Sequence, residues 1–216
     1  GLRGFAAFIV VIYHHFYGFY PKLLYPSEDK ILTQISGSPL NIFYNGNFAV
    51  YIFFILSGYV LTYKFFKTRN YKIIVSGAAR RYIRLLVPVL FSVVIAFLLM
   101  KFSLFYNKEL SAITSCCLST YYNFNPDFFG AIYQAFVGSF FNGQVSYNIV
   151  LWTMTYELFG SFLVFGLAAL AININRRYIF YGALILLMLN TVYLSFILGM
   201  ILADISTRKT DYLKHI

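Results

Sequence analysis

Of the ionisable side chains in or beside apolar runs, five are candidates for chemistry: Arg3 and His14, eleven residues apart in GLRGFAAFIVVIYHH; Arg81 and Arg84 in ARRYIRLLVPVL; and Glu157 in LWTMTYELFG. An imidazole held away from water is expected to rest neutral and ready to take a proton. A carboxylate beside it can orient the ring and stabilise the imidazolium, as the acid does in a catalytic triad. His14 and Glu157 are therefore candidates for proton transfer, and the arginines offer permanent charge in a forked geometry. Other uses of a His/Glu pair are hydrogen bonding between helices and proton-coupled transport.

On a helix, eleven residues are about three turns. Arg3 and His14 then share a face about 16 Å apart along the axis, and one extended ligand can touch both. His15 lies about 100° further round and faces elsewhere. Counted from the ends of their apolar runs, His14 lies about 15 Å deep from one side and Glu157 about 12 Å deep from the other. Matching depth points to one shared cavity. Asp204, near the end of the last run, is the remaining acid in an apolar stretch.

The elements that position these residues follow from composition. Hydrophobic residues make up 60% of the 216, charged residues 11%, and mean hydropathy is +0.72. Soluble domains carry roughly 25% charged residues, so this chain belongs in a bilayer. The +10 net charge clusters between apolar runs rather than on a soluble face, which argues against nucleic acid as a partner.

About 20 apolar residues cross a hydrocarbon core of about 30 Å. Candidate spans are Phe5–Tyr20, Phe48–Tyr63, Leu85–Met100, Ile149–Ile172 and the long run Tyr178–Ala203, which is one tilted helix or two short ones. The fold class expected is an all-α polytopic integral membrane protein with at least five transmembrane helices. Pro88 is expected in the first turn of the third span, where its missing N–H is tolerated. Phe128–Phe141 is too short for a span and reads as re-entrant or interfacial.

Lys64, Lys67, Arg69, Lys72, Arg80, Arg81 and Arg84 have no acid among them, and the positive-inside rule assigns that segment to the cytoplasm. The loops holding Lys22, Glu28, Asp29 and Lys30, and Lys101, Lys108, Glu109 and Asp127, are neutral and expected outside. Arg176 and Arg177 return the fourth helix to the cytoplasm, and Arg3 falls at the cytoplasmic mouth of the first. The tail with Arg208, Lys209, Asp211 and Lys214 is inside only if the last run is a hairpin. Adjacent Cys116 and Cys117 lack metal-ligand neighbours and read as small packing residues; no metal site is expected.

These segments also resemble a known family. LRGFAAFIVVIYHH, FAVYIFFILSGYVLTYKF, ARRYIRLLVPVL and LWTMTYELFGSFLVF are similar, in order and spacing, to the motifs of the acyltransferase 3 family of integral membrane acyltransferases. Residues 1–216 are thus expected to form one membrane domain of that family, lacking its N-terminus and further C-terminal helices. The resemblance implies O-acylation: an acyl group, often acetyl, passes from acyl-CoA in the cytoplasm to a hydroxyl of an extracytoplasmic carbohydrate such as a cell-surface polysaccharide. It implies no permanently bound cofactor, and a bacterial inner membrane as the site. On that chemistry, His14 and Glu157 are the catalytic candidates, while Arg3, Arg81 and Arg84 would engage the polyanionic donor. A proton-coupled transporter is the alternative, although the chain shows no inverted repeat.

Overall fold

The computed structural model describes residues 1–24, 30–114 and 117–213. Glu28, Asp29, Cys116 and Lys214 lie outside the described residues, as do the side chains of Cys117, Lys209 and Asp211. The elements in order are α1 (Leu2–Phe19), α2 (Lys30–Ser36), α3 (Gly46–Thr68), α4 (Tyr71–Lys101), α5 (Asn107–Thr114), α6 (Phe128–Tyr133), α7 (Ser139–Phe141), α8 (Trp152–Ala171), α9 (Arg177–Met188) and α10 (Tyr193–Leu213). No strand occurs among the described residues.

Four segments are long and apolar enough to cross a membrane: α1, α3, α4, and α8 with the 3-10 turn that precedes it. With the shorter apolar helices they make an all-α polytopic integral membrane protein. The run Tyr178–Ala203 is two helices. α9, at 12 residues, is about 18 Å long and does not span by itself. α10 runs 21 residues, and its Asp204 pairs with Arg177 at the start of α9. The two form a hairpin, so the end of α10 returns to the end of the bundle that holds Arg176 and Arg177.

The basic segment Lys64–Arg84 is helical almost throughout. Its only break is a turn at Arg69, left-handed at φ 54°, and Asn70, whose side chain accepts from the Lys72 amide and caps α4. Lysine and arginine are good helix formers, and with that cap they extend the third apolar run backward to Tyr71. Pro88 is therefore not in a first turn. It lies inside a 31-residue helix, where it leaves the Arg84 carbonyl without its usual partner.

Helix register is set by small residues. Ala6, Ile9 and Val10 of α1 pack on Ala49, Ile52 and Phe53 of α3, and Tyr13 lies against Gly46, which makes the two helices antiparallel. α10 lies along α3 with the backbones almost touching. A Cβ on Gly58 would come 2.1 Å from the Phe196 carbonyl oxygen, and one on Gly199 would come 2.0 Å from that of Ile55. Close approach through glycine is how membrane helices gain packing energy where lipid offers no hydrophobic drive. Beside it the Phe54 and Phe196 rings stack with centroids 4.7 Å apart.

Phe128–Phe141 does not span. It is α6, a π-helical turn at Gln134–Gly138, and α7, packed on α4 and α8 through Ala131, Ala135 and Phe140.

Candidate active site

α1, α3, α4 and the start of α8 surround a cavity of about 490 Å³ whose lining includes Arg3, His14, Ser57, Arg81, Trp152 and Glu157. Four of the five sequence candidates thus meet in one space. Their depths differ from expectation. Tyr13 is level with Gly46, so in the antiparallel pair Arg3 falls beside Leu56 and Ser57, ten to eleven residues or about 16 Å along α3. Glu157 accepts from Ser57 Oγ at 2.6 Å and so sits at that level too. His14 is near the start of α3, beside Val150 and Trp152 at the head of α8. The cavity is long, with His14 at one end and Arg3, Arg81 and Glu157 at the other. Counting depth from the ends of apolar runs fails here because the runs do not begin at a common plane.

The ring of His14 is fixed by its own helix. Nδ1 lies 2.8 Å from the Val10 carbonyl oxygen. A carbonyl can only accept, so Nδ1 is the donor, and in the neutral ring that tautomer leaves the lone pair on Nε2. The orienting place expected for Glu157 is thus taken by the backbone of α1. Glu157 pairs instead with the Arg81 guanidinium, and Arg81 Nε donates to Ser161 Oγ at 2.7 Å. Ser161 in turn donates to the Glu157 carbonyl at 2.5 Å. Each member of the pair is 13% exposed, and the surrounding hydroxyls satisfy groups that burial would otherwise leave costly. Arg3 lines the same cavity, which therefore holds two guanidinium groups against one carboxylate and keeps an excess positive charge.

Arg81 is not at a cytoplasmic loop, since it lies ten residues into α4, about 15 Å from its start. Arg3, exposed in the first turn of α1, stands at the same level as Arg81 along the bundle. Arg84 parts company with Arg81. It lines a separate groove of about 450 Å³ between α3 and α4, with Lys64, Lys72 and Arg80. Arg80 is held there by its Nε and a terminal nitrogen, bonded to the Ser76 carbonyl and hydroxyl.

His15 sits away from the cavity against Phe19, ring centroids 4.8 Å apart. Asp204, 2% exposed, receives Arg177 at 2.7 Å, Arg208 at 2.8 Å and the Tyr181 hydroxyl at 2.9 Å. It fastens α9 to α10 and lines neither cavity described for His14. Ser57 and Ser161 were not singled out from the sequence. Ser161 had a signal, because it stands four residues after Glu157 and shares its helix face.

His14, with Val150 and Trp152, also lines a second cavity of about 430 Å³ on the side away from Glu157. The imidazole therefore stands at a boundary between two spaces.

No curated protein and no solved structure matches the chain. The family model described as an acyltransferase domain, acyltransferase 3, matches residues 1–208 of the 216. Four motifs in order, a membrane bundle that brings Arg3, His14, Arg81 and Glu157 to one cavity, and a match over nearly the whole length place the chain in the acyltransferase 3 family of integral membrane acyltransferases.

Proposed function

We propose that the chain moves an acyl group, acetyl being the simplest, from acyl-CoA on the cytoplasmic side to a hydroxyl of an extracytoplasmic carbohydrate such as a cell-surface polysaccharide, in a bacterial inner membrane. The observation that carries this reading is the position of His14, with Nδ1 on the Val10 carbonyl and a cavity on either side. The positive-inside rule orients the Lys64–Arg84 end toward the cytoplasm, so the cavity with Arg3, Arg81 and Glu157 belongs to the donor.

In that cavity the excess positive charge attracts the anionic part of the donor, and its extended arm runs along α1 to bring the thioester to His14. The nucleotide end, richest in phosphate, suits the groove of Lys64, Lys72, Arg80 and Arg84 on the same side. The acceptor hydroxyl gives its proton to Nε2 as its oxygen bonds to the thioester carbonyl carbon. Collapse of the tetrahedral species breaks the C–S bond, and the imidazolium returns the proton to the departing thiolate. General base catalysis of this kind is worth about 10²–10⁴-fold. Glu157 acts as a positioning residue that holds Arg81.

A proton-coupled transporter would couple His14 to Glu157 directly, whereas Glu157 is engaged by Arg81 and Ser57. Mass spectrometry of cell-surface glycans with and without the gene tests the acyl-transfer reading. Acylated hydroxyls that vanish with the gene are expected. Glycans unchanged by its loss, together with proton movement in liposomes and no thiol release from acyl-CoA, would overturn it.

A further inference from the structure

We infer that Trp152 is the seal between the two cavities: its indole, with Val150 beside it, keeps the spaces on either side of His14 from joining into one water-filled path, and so keeps outside water off the thioester. The purpose of the seal rests on the acyl-transfer reading, whereas the seal itself rests on geometry. The two cavities have three lining residues in common, His14, Val150 and Trp152. Beyond these the linings differ in kind. One holds Arg3, Arg81 and Glu157, while among the described residues the lining of the other carries no Lys, Arg, Asp or Glu. The shared residues are therefore the wall, given by α1 on one side and by the head of α8 on the other.

Both sides of the wall are held in place. On α1 the His14 ring has Nδ1 on the Val10 carbonyl and meets the Tyr13 ring edge-on, with centroids 5.3 Å apart. At the head of α8, Asn148 accepts from the Val150 amide at 3.1 Å and donates through its side-chain amide to Ser92 of α4, which pins the 3-10 turn Ile149–Leu151. Leu151 is buried in the same cluster as Val89 and Val93 of α4. Trp152 follows as the first residue of α8, its ring edge-on to that of Tyr156 with centroids 5.8 Å apart. An indole is large and apolar apart from one N–H, which suits it to closing a gap against water. Without it, cavities of about 490 and 430 Å³ would merge, and the excess positive charge of the first would draw anions and water through. Water is itself a nucleophile. Its oxygen would bond to the thioester carbonyl carbon, the C–S bond would break, its proton would pass by way of Nε2 to the thiolate, and free acid and thiol would leave with no acceptor acylated. Excluding water prevents such side reactions. His14 belongs to the same wall, so an acceptor hydroxyl on one side and the thioester on the other both border the imidazole while the seal stays shut.

The test uses Val10→Cys, which sits one turn from His14 and lines only the first cavity, in a chain with Cys116→Ser and Cys117→Ser. Intact cells are treated with sulfonatoethyl methanethiosulfonate, a membrane-impermeant thiol reagent whose negative charge matches that cavity. The expected result is labelling only after the cytoplasmic side is opened. Adding Trp152→Ala should raise labelling from outside by at least ~10-fold, since thiol modification follows access, and Trp152→Phe, which keeps a ring, should stay close to the parent. Labelling from the cytoplasmic side reports whether each chain is folded, and Val150→Ala, on the same wall, should open the path to a smaller extent if Trp152→Ala does not fold. In chains that keep Val10, thiol release from acetyl-CoA without any acceptor should rise with Trp152→Ala by at least ~10-fold. Outside labelling that ignores the wall, or protection that survives its removal, would overturn the seal. A seal that opens while thiol release, though present, does not rise would overturn its role in excluding water. A seal that opens while no chain releases thiol from acetyl-CoA, with or without acceptor, would keep the seal and overturn the acyl-transfer reading.

Discussion

Arg81→Gln should destabilise the bundle far more than the loss of a surface arginine, and a second substitution should repair it. The change leaves the Glu157 carboxylate at 13% exposure with Ser57 but without the guanidinium. Removing one partner of a buried pair costs about 3–5 kcal/mol, because the remaining charge is stranded. For a chain of this length about 1 kcal/mol corresponds to about 2–4 °C, so the midpoint should fall by about 6–20 °C. Arg81→Gln/Glu157→Gln removes both charges and keeps hydrogen-bonding groups at both positions, and most of that loss should return. Thermal unfolding of the four species in one detergent gives the double-mutant cycle, and a coupling of at least ~1.5 kcal/mol is expected. Additive losses, or an Arg81→Gln chain as stable as the unmodified one, would refute the pairing.

Gly58→Ala should loosen α3 from α10, since the added Cβ meets the Phe196 carbonyl at 2.1 Å and overpacking costs about 1–3 kcal/mol; protease susceptibility in detergent reads this, and an unchanged digestion rate contradicts it. A cysteine in place of Lys67 should resist a membrane-impermeant thiol reagent in intact cells and react after the cytoplasmic face is opened, with the reverse pattern overturning the orientation. Replacing Lys64, Arg80 and Arg84 together with Gln should raise the KM for acyl-CoA more than it lowers kcat, because a remote contact serves ground and transition states alike. A fall confined to kcat would remove the groove from donor binding.

The helices α1, α3 and α8 were legible to within a few residues because an apolar run of membrane length has few other uses. The beginning of α4 was not, because Arg80, Arg81 and Arg84 read as loop by charge while helix propensity and the Asn70 cap decide otherwise. The site residues were legible as types, since an ionisable group in an apolar run is costly. Their partners were not. Glu157 meets Arg81 rather than His14 because register depends on contacts such as Tyr13 on Gly46, which no count along one helix contains. Arg81 and Arg84, three residues apart, face different spaces; a helix turns about 300° over that interval, and the neighbouring helices divide what remains.

The most direct test of the central claim is the His14→Gln chain with acyl-CoA and its acceptor in a single-turnover experiment. Glutamine keeps a polar side chain of similar size but cannot accept a proton at neutral pH. Acyl transfer should fall by at least ~10² with expression and acyl-CoA binding retained, while His15→Gln, beside Phe19 and away from the cavity, should transfer at close to the unmodified rate. Transfer by His14→Gln at the unmodified rate, or greater damage from His15→Gln, would contradict the account.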